Sequence, residues 1–211
     1  MYLPAHFEET RSEVLHEFIR AHPLGSLVTV SSGGLDANHI PFEIERAPAP
    51  HGTLRAHVAR ANPLWRSAPS AEVLVIFQAS GSYVSPAWYP SRRESGQVVP
   101  TWNYAVVHAH GSVRFIEDRA WLRAFVERLT ERHEAGREDQ WHVSDAPADF
   151  IDQQLNAIVG VEIAITRIVG KWKVSQNRLP RDRVGAADGL SLEGNDAAAE
   201  MAALVRKYNQ Q

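Results

Sequence analysis

Along this chain the spacing of apolar residues changes from helical to strand-like and back, and each change marks an element. Thr10 and Glu13 form a capping-box pattern, and Val14, Leu15, Phe18 and Ile19 fall on one helical face. The spacing therefore predicts a helix over 11–21, stopped by Pro23 and Gly25. Beyond it the period becomes two, so 25–31 and 35–44 read as strands joined across Gly33 and Gly34, a hairpin signal. The Pro-rich stretch 47–52 reads as a loop. In 53–59, Leu54, Ala56 and Val58 alternate with Arg55 and His57, as a half-buried strand requires, and Asn62 and Pro63 break the run. The unbroken apolar run inside 72–78 suits a central strand covered on both faces.

A further strand is expected over 106–116, with His108, His110, Ser112 and Arg114 sharing a face. Helical spacing returns in 118–134 through Trp121, Leu122, Phe125, Val126 and Leu129. It recurs in 147–159 through Phe150, Ile151, Leu155 and Ile158, with Gly160 as a plausible end cap. Residues 161–169 alternate again, Gly170 allows a turn or bulge, and 171–176 continue as strand. A last helix is expected over 195–208, where Met201, Leu204, Val205 and Tyr208 require cover. Six or seven mostly sequential strands and four helices, without a βαβ rhythm, argue for a mainly β fold with peripheral helices (α+β), a barrel or sandwich. A doubly wound nucleotide-binding fold is disfavoured.

Composition narrows the chemistry more than the fold. With 211 residues, 44% hydrophobic and 22% charged, the chain is an ordinary folded protein of one sizeable domain or two small ones. A net charge of −3 excludes nucleic-acid binding by bulk positive charge. The absence of cysteine removes disulfides, thiolate zinc sites and cysteine nucleophiles. The first residues lack the pattern of a secretory signal, and the strongest apolar run, 73–77, is far short of the ~20 residues needed to cross a bilayer. A cytoplasmic location and no membrane partner are expected.

Three segments carry candidate chemistry. Residues 82–90 and 100–104 are dense in Tyr and Trp outside the periodic elements; such rings line an interface or grip a flat ligand. Residues 167–183 hold six basic groups and one acid, so they sum to +5 while the rest of the chain sums to −8. If 171–177 are extended, Lys171, Lys173, Ser175 and Asn177 share a face suited to an anion, opposite Trp172, Val174 and Gln176. Solvated or bridged charges are the alternative. Arg60 and Asn62 end a strand at a turn, where a guanidinium fork and an amide can meet a phosphate, or where Asn62 can simply bond its own backbone. His108 and His110 lack a third metal ligand in sequence, so no metal site is expected. A Gly-x-Ser-x-Gly elbow, a P-loop and Gly-x-Gly-x-x-Gly are missing.

Taken in order, several stretches resemble the PaiB-like family, FMN-binding negative transcriptional regulators on a split β-barrel of the pyridoxamine-oxidase-like type. They are 1–7, His39-Ile40-Pro41-Phe42, 57–65, 83–89, 99–104 followed by Val107-His108 and Gly111, and 170–178. The resemblance implies a homodimer with FMN at the subunit interface. It implies an FMN-binding split-barrel domain with inserted helices over 1–183, and a C-terminal extension over 184–211 whose helix packs on the barrel or on the partner. Carried onto this chain, Arg60, Asn62, Lys171, Lys173 and Ser175 are candidates for the phosphate and ribityl chain. Ser85, Trp88, Thr101, Trp102 and Asn103 are candidates for the ring, and Gln176 and Arg178 for contacts from the second subunit. DNA would have only the basic segment 171–183, which the phosphate also needs. A regulator or flavin-dependent sensor is the first expectation. The alternative is an FMN-dependent oxidoreductase passing hydride between NAD(P)H and a small acceptor, with His39, His57 or Tyr89 available as proton donor.

Overall fold

The computed structural model describes residues 1–47, 50–66 and 72–209. Among them, the strands are β1 (Glu8–Glu9), β2 (Leu24–Ser31), β3 (Gly34–Pro41), β4 (Glu43–Glu45), β5 (Thr53–Ala59), β6 (Val73–Gln78), β7 (Ser82–Val84), β8 (Thr101–Ile116) and β9 (Ile158–Lys173). The helices are α1 (Ser12–Ala21), α2 (Arg92–Ser95), α3 (Arg119–Glu134), α4 (Ala148–Asn156), α5 (Pro180–Ser191) and α6 (Asp196–Asn209). The sheet is ordered β3-β2-β6-β8-β9-β5-β4, with β1 on β9 and β7 on β8. All pairs with assigned register, β2–β3, β2–β6, β4–β5, β5–β9, β1–β9 and β7–β8, are antiparallel. The fold class expected from the periodicity is thus present: mainly β, with four helices inserted between strands and two after the last. Part of the expected loop 47–52 lies outside the described residues.

The chain packs as two compact units interleaved in sequence. One comprises Met1–Phe18, Phe77–His108 and Val169–Gln211; the other comprises Ile19–Ile76 and Ala109–Ile168. In the second unit, Leu54, Ala56 and Val58 of β5 and Val159, Val161 and Ile163 of β9 are buried on paired strands. Leu122, Ile151 and Leu155 join Val143 in a cluster of α3 and α4. Asp118 caps α3 by accepting from the Trp121 amide at 2.7 Å. In the first unit, α5 and α6 bury Ala186, Ala187, Leu190, Ala198, Met201, Ala202 and Val205.

Several expectations need correction, each for a local reason. The strand over 35–44 is two strands: Pro41 has no N–H to extend the ladder, and β4 pairs with β5 instead. Gly160 does not cap α4; it lies inside β9, where a Cβ would come within 2.5 Å of the Trp121 ring. Gly170 does not break the chain either, because β9 runs through it, and a Cβ there would stand 2.3 Å from Leu15. The extended stretch ends at Lys173, not Gln176. The helix α5 escaped the periodicity reading because its buried face is built of small residues. Gly185 and Gly189 let Trp88 approach so closely that a Cβ on Gly189 would lie 2.2 Å from the indole.

Candidate functional site

The first unit gathers most of the chemically distinctive residues around the end of β9. Alternation along the strand separates Trp172, which is buried against Phe18 with ring centroids 5.1 Å apart, from its neighbours Lys171 and Lys173. The two ammonium groups flank the Tyr104 ring, at 5.4 and 6.0 Å from its centroid. Lys171 is buried and donates to the Tyr2 carbonyl at 3.1 Å. Although the β1–β9 register sets Glu8 opposite Lys171, no ion pair forms between them. Lys173 donates to the Thr101 hydroxyl and to the Trp102 carbonyl.

After Lys173 the chain leaves the sheet through a tight turn. Ser175 adopts φ +69°, the left-handed region, and is the one non-glycine residue among those described to do so. The Gln176 side chain closes the turn on itself: its amide oxygen accepts from the Val174 N–H at 2.8 Å, and its nitrogen donates to the Trp172 carbonyl. The turn points the Ser175 hydroxyl inward, where the Asn103 amide donates to it at 3.0 Å in full burial. It also brings Arg178 over the Tyr89 ring, 5.1 Å from the centroid. The Tyr89 hydroxyl is buried, and burial raises its pKa against the opposing effect of the neighbouring Arg178 guanidinium.

Lys171, Lys173 and Arg178 thus stand near one another, and among the described residues none has a carboxylate within 4 Å. Burial, and then repulsion from Lys171 and Arg178, lowers the Lys173 pKa below its ordinary value. Elsewhere in this unit Arg11 pairs with Glu9, Arg181 with Glu94 and Arg206 with Asp188. Three cations with no carboxylate within 4 Å among the described residues match a phosphate monoester in charge, and the buried Asn103–Ser175 bond holds the turn beside them.

The remaining sequence candidates have more local roles. Ser85 accepts from the Ala87 N–H at 3.2 Å at the start of a single helical turn, and Trp88 is half-buried against α5. Trp102 is 58% exposed and meets Tyr83 edge to face at 6.3 Å. Arg60 and Asn62 belong to the second unit. There Arg60 donates to the carbonyls of Asn156 (2.8 Å) and Ile158 (3.2 Å) and pairs with Glu117. Asn62 accepts from the Leu64 N–H and donates to Asn38, the local turn bonding that its position beside Pro63 also allows. Of the three proton-donor candidates, His39 hydrogen-bonds Ser26 at 3.0 Å, and burial lowers the His57 pKa, its Nδ1 unpartnered beside Phe125. Tyr104, central to the cation cluster, was not singled out from sequence. The period of two along 101–104 could have placed it, because it separates Trp102 and Tyr104 from Thr101 and Asn103.

The strand order defines a mainly β protein with peripheral helices, and one face of its first unit gathers Lys171, Lys173 and Arg178. The FAD and heme binding protein of Mycobacterium smegmatis superposes with a TM-score of 0.57 at 21% identity, covering 79% of this chain and 73% of that one. The shared fold is the split β-barrel. In sequence, the chain is 32% identical to the protease synthase and sporulation protein PAI 2 of Bacillus subtilis, over 97% of this chain and 96% of that protein. An uncharacterized protein of Emericella nidulans is 33% identical over 98% of this chain and 97% of its own length. The family described as "Putative FMN-binding domain" matches residues 1–167, and the chain belongs to it. No helix among the described residues is long and apolar enough to cross a membrane.

Proposed function

We propose that this protein is an FMN-binding homodimer that acts as a negative transcriptional regulator or flavin-dependent sensor, with the FMN phosphate held by Lys171, Lys173 and Arg178. The observation that carries the reading is that Lys171, Lys173 and Arg178 stand together with no carboxylate of the described residues within 4 Å. Asn103 and Ser175 fix the turn that presents Arg178, and Gln176 locks it, so these residues position the phosphate groups. When bound, FMN supplies two-electron redox chemistry to the site. The exposed pair Tyr83 and Trp102 supports a further contact, with the flavin or with the second subunit, because exposed rings of this size gain most from cover. DNA would compete for the same cations, since Arg181 is already paired with Glu94.

The test is FMN titration followed by absorption and quenched flavin fluorescence. Wild type retains the flavin after desalting, and the double variant Lys171→Ala, Lys173→Ala loses it. An unchanged affinity in that variant would remove the phosphate assignment. Rapid bleaching of bound flavin by NADH or NADPH with turnover would replace the sensor reading by an oxidoreductase. A gel shift across a salt series decides whether DNA is the partner.

A further inference from the structure

The chain has 22 Lys and Arg residues, and only three are lysine: Lys171, Lys173 and Lys207. Two of these three stand two residues apart in the cation cluster, while every other basic position except Lys207 is arginine. For holding a phosphate alone, arginine is the better residue, because its planar fork binds two oxygens at once. A lysine offers what arginine cannot, an amine that sheds its proton and becomes a nucleophile.

The geometry around Lys173 suits that role. Its nitrogen is positioned by the Thr101 hydroxyl and the Trp102 carbonyl and lies 6.0 Å from the Tyr104 ring centroid. No carboxylate of the described residues lies within 4 Å of it, and the residue is only half-buried. Lys171 and Arg178 stand near enough to act on it electrostatically, over the Tyr104 and Tyr89 rings. We propose that Lys173 captures a small phosphorylated aldehyde as an imine, with Lys171 and Arg178 holding the phosphate. The inference rests on the reading of this face as a phosphate site. Burial and the neighbouring cations lower the Lys173 pKa, which raises the fraction of neutral amine at physiological pH. A lysine activated by an adjacent cation is an established route to Schiff-base chemistry.

The step balances without an external reagent. The lone pair of neutral Lys173 Nζ forms a bond to the aldehyde carbon as the carbonyl π bond breaks, and one nitrogen proton passes to the oxygen. The resulting carbinolamine loses its hydroxyl together with the second nitrogen proton as water, leaving C=N. Nothing is oxidised or reduced.

The experiment treats the intact protein with glyceraldehyde 3-phosphate and sodium cyanoborohydride, which reduces the imine to a stable secondary amine, and maps the adduct by peptide mass spectrometry. Lys173 is expected to be labelled at least about tenfold faster than exposed Lys207 and the N-terminal amine. Glyceraldehyde without the phosphate should label Lys173 about tenfold more slowly, and Lys173→Arg should abolish the adduct without moving it to Lys171. Equal labelling at Lys207, or no preference for the phosphorylated probe, overturns the proposal. FMN is added in a parallel arm. If flavin binds and Lys173 is never labelled, the imine proposal fails and the flavin assignment stands. If Lys173 is labelled selectively and flavin neither binds nor protects, the imine proposal stands and the flavin phosphate assignment fails.

Discussion

Glu9 gives the most quantitative prediction. It sits on β1, opposite Gly170 of β9 and next to the register position of Lys171, so its state bears on the strand that presents the cation cluster. Burial alone would raise its pKa, but hydrogen bonds from the Arg11 side chain and amide and from the Tyr208 hydroxyl more than reverse this, holding it at about 2 against an ordinary 4.5. A carboxyl depressed this far contributes at most about 3 kcal/mol to folding. Because the folded value lies below the unfolded one, that contribution is fully present above pH 4.5 and is lost as pH falls towards 2.

Tyr208→Phe removes one donor to this carboxylate while Arg11 still engages both of its oxygens. A hydrogen bond to a charged group is worth about 1.5–3 kcal/mol, and the remaining partners reduce the loss to about 1–2 kcal/mol at neutral pH. Urea unfolding of wild type and variant at pH 7 and pH 2 reads this directly. The difference should shrink to a few tenths of a kcal/mol at pH 2, where Glu9 is about half protonated in the wild type and more fully protonated in the variant. An equal cost at both pH values would refute the reasoning, because it would mean that the hydroxyl acts through packing on Trp172, whose ring lies 6.4 Å away.

Other consequences follow from the same geometry. Lys173→Met should raise the melting temperature of the flavin-free protein, since a charged Lys173 is penalised by burial, Lys171 and Arg178, while lowering FMN affinity about tenfold or more. FMN affinity in wild type should fall with rising pH at a lower pH than an ordinary lysine would give, because the amine loses its charge early; fluorescence titration between pH 7 and 10 detects it. Gly111→Ala would place a Cβ 2.2 Å from the Ala164 carbonyl oxygen between β8 and β9, and urea unfolding should show a loss of about 2–3 kcal/mol. Gly189→Ala should displace Trp88 from α5 and change the intrinsic tryptophan fluorescence.

What the amino-acid sequence determined by itself was the alternation of periods and the places where charge accumulates. The clean period of two over 53–59 became β5 residue for residue, and the helical spacing after Asp118 became α3, because both signals are set by which face a local element must bury. The surplus of basic residues in 167–183 pointed to the cation cluster for the same reason: composition is local. Only tertiary structure decided which of those cations lack an acid. Arg181 finds Glu94, 87 positions away, while Lys171, Lys173 and Arg178 find aromatic rings. The glycines at 160 and 170 read as breaks because a flexible residue and a crowded one look the same in one dimension. Each instead marks a close approach by a side chain distant in sequence. The inward turn at Ser175 was equally hidden, since its positive φ is stabilised by Asn103, 72 residues away, and no local pattern encodes a bond of that range.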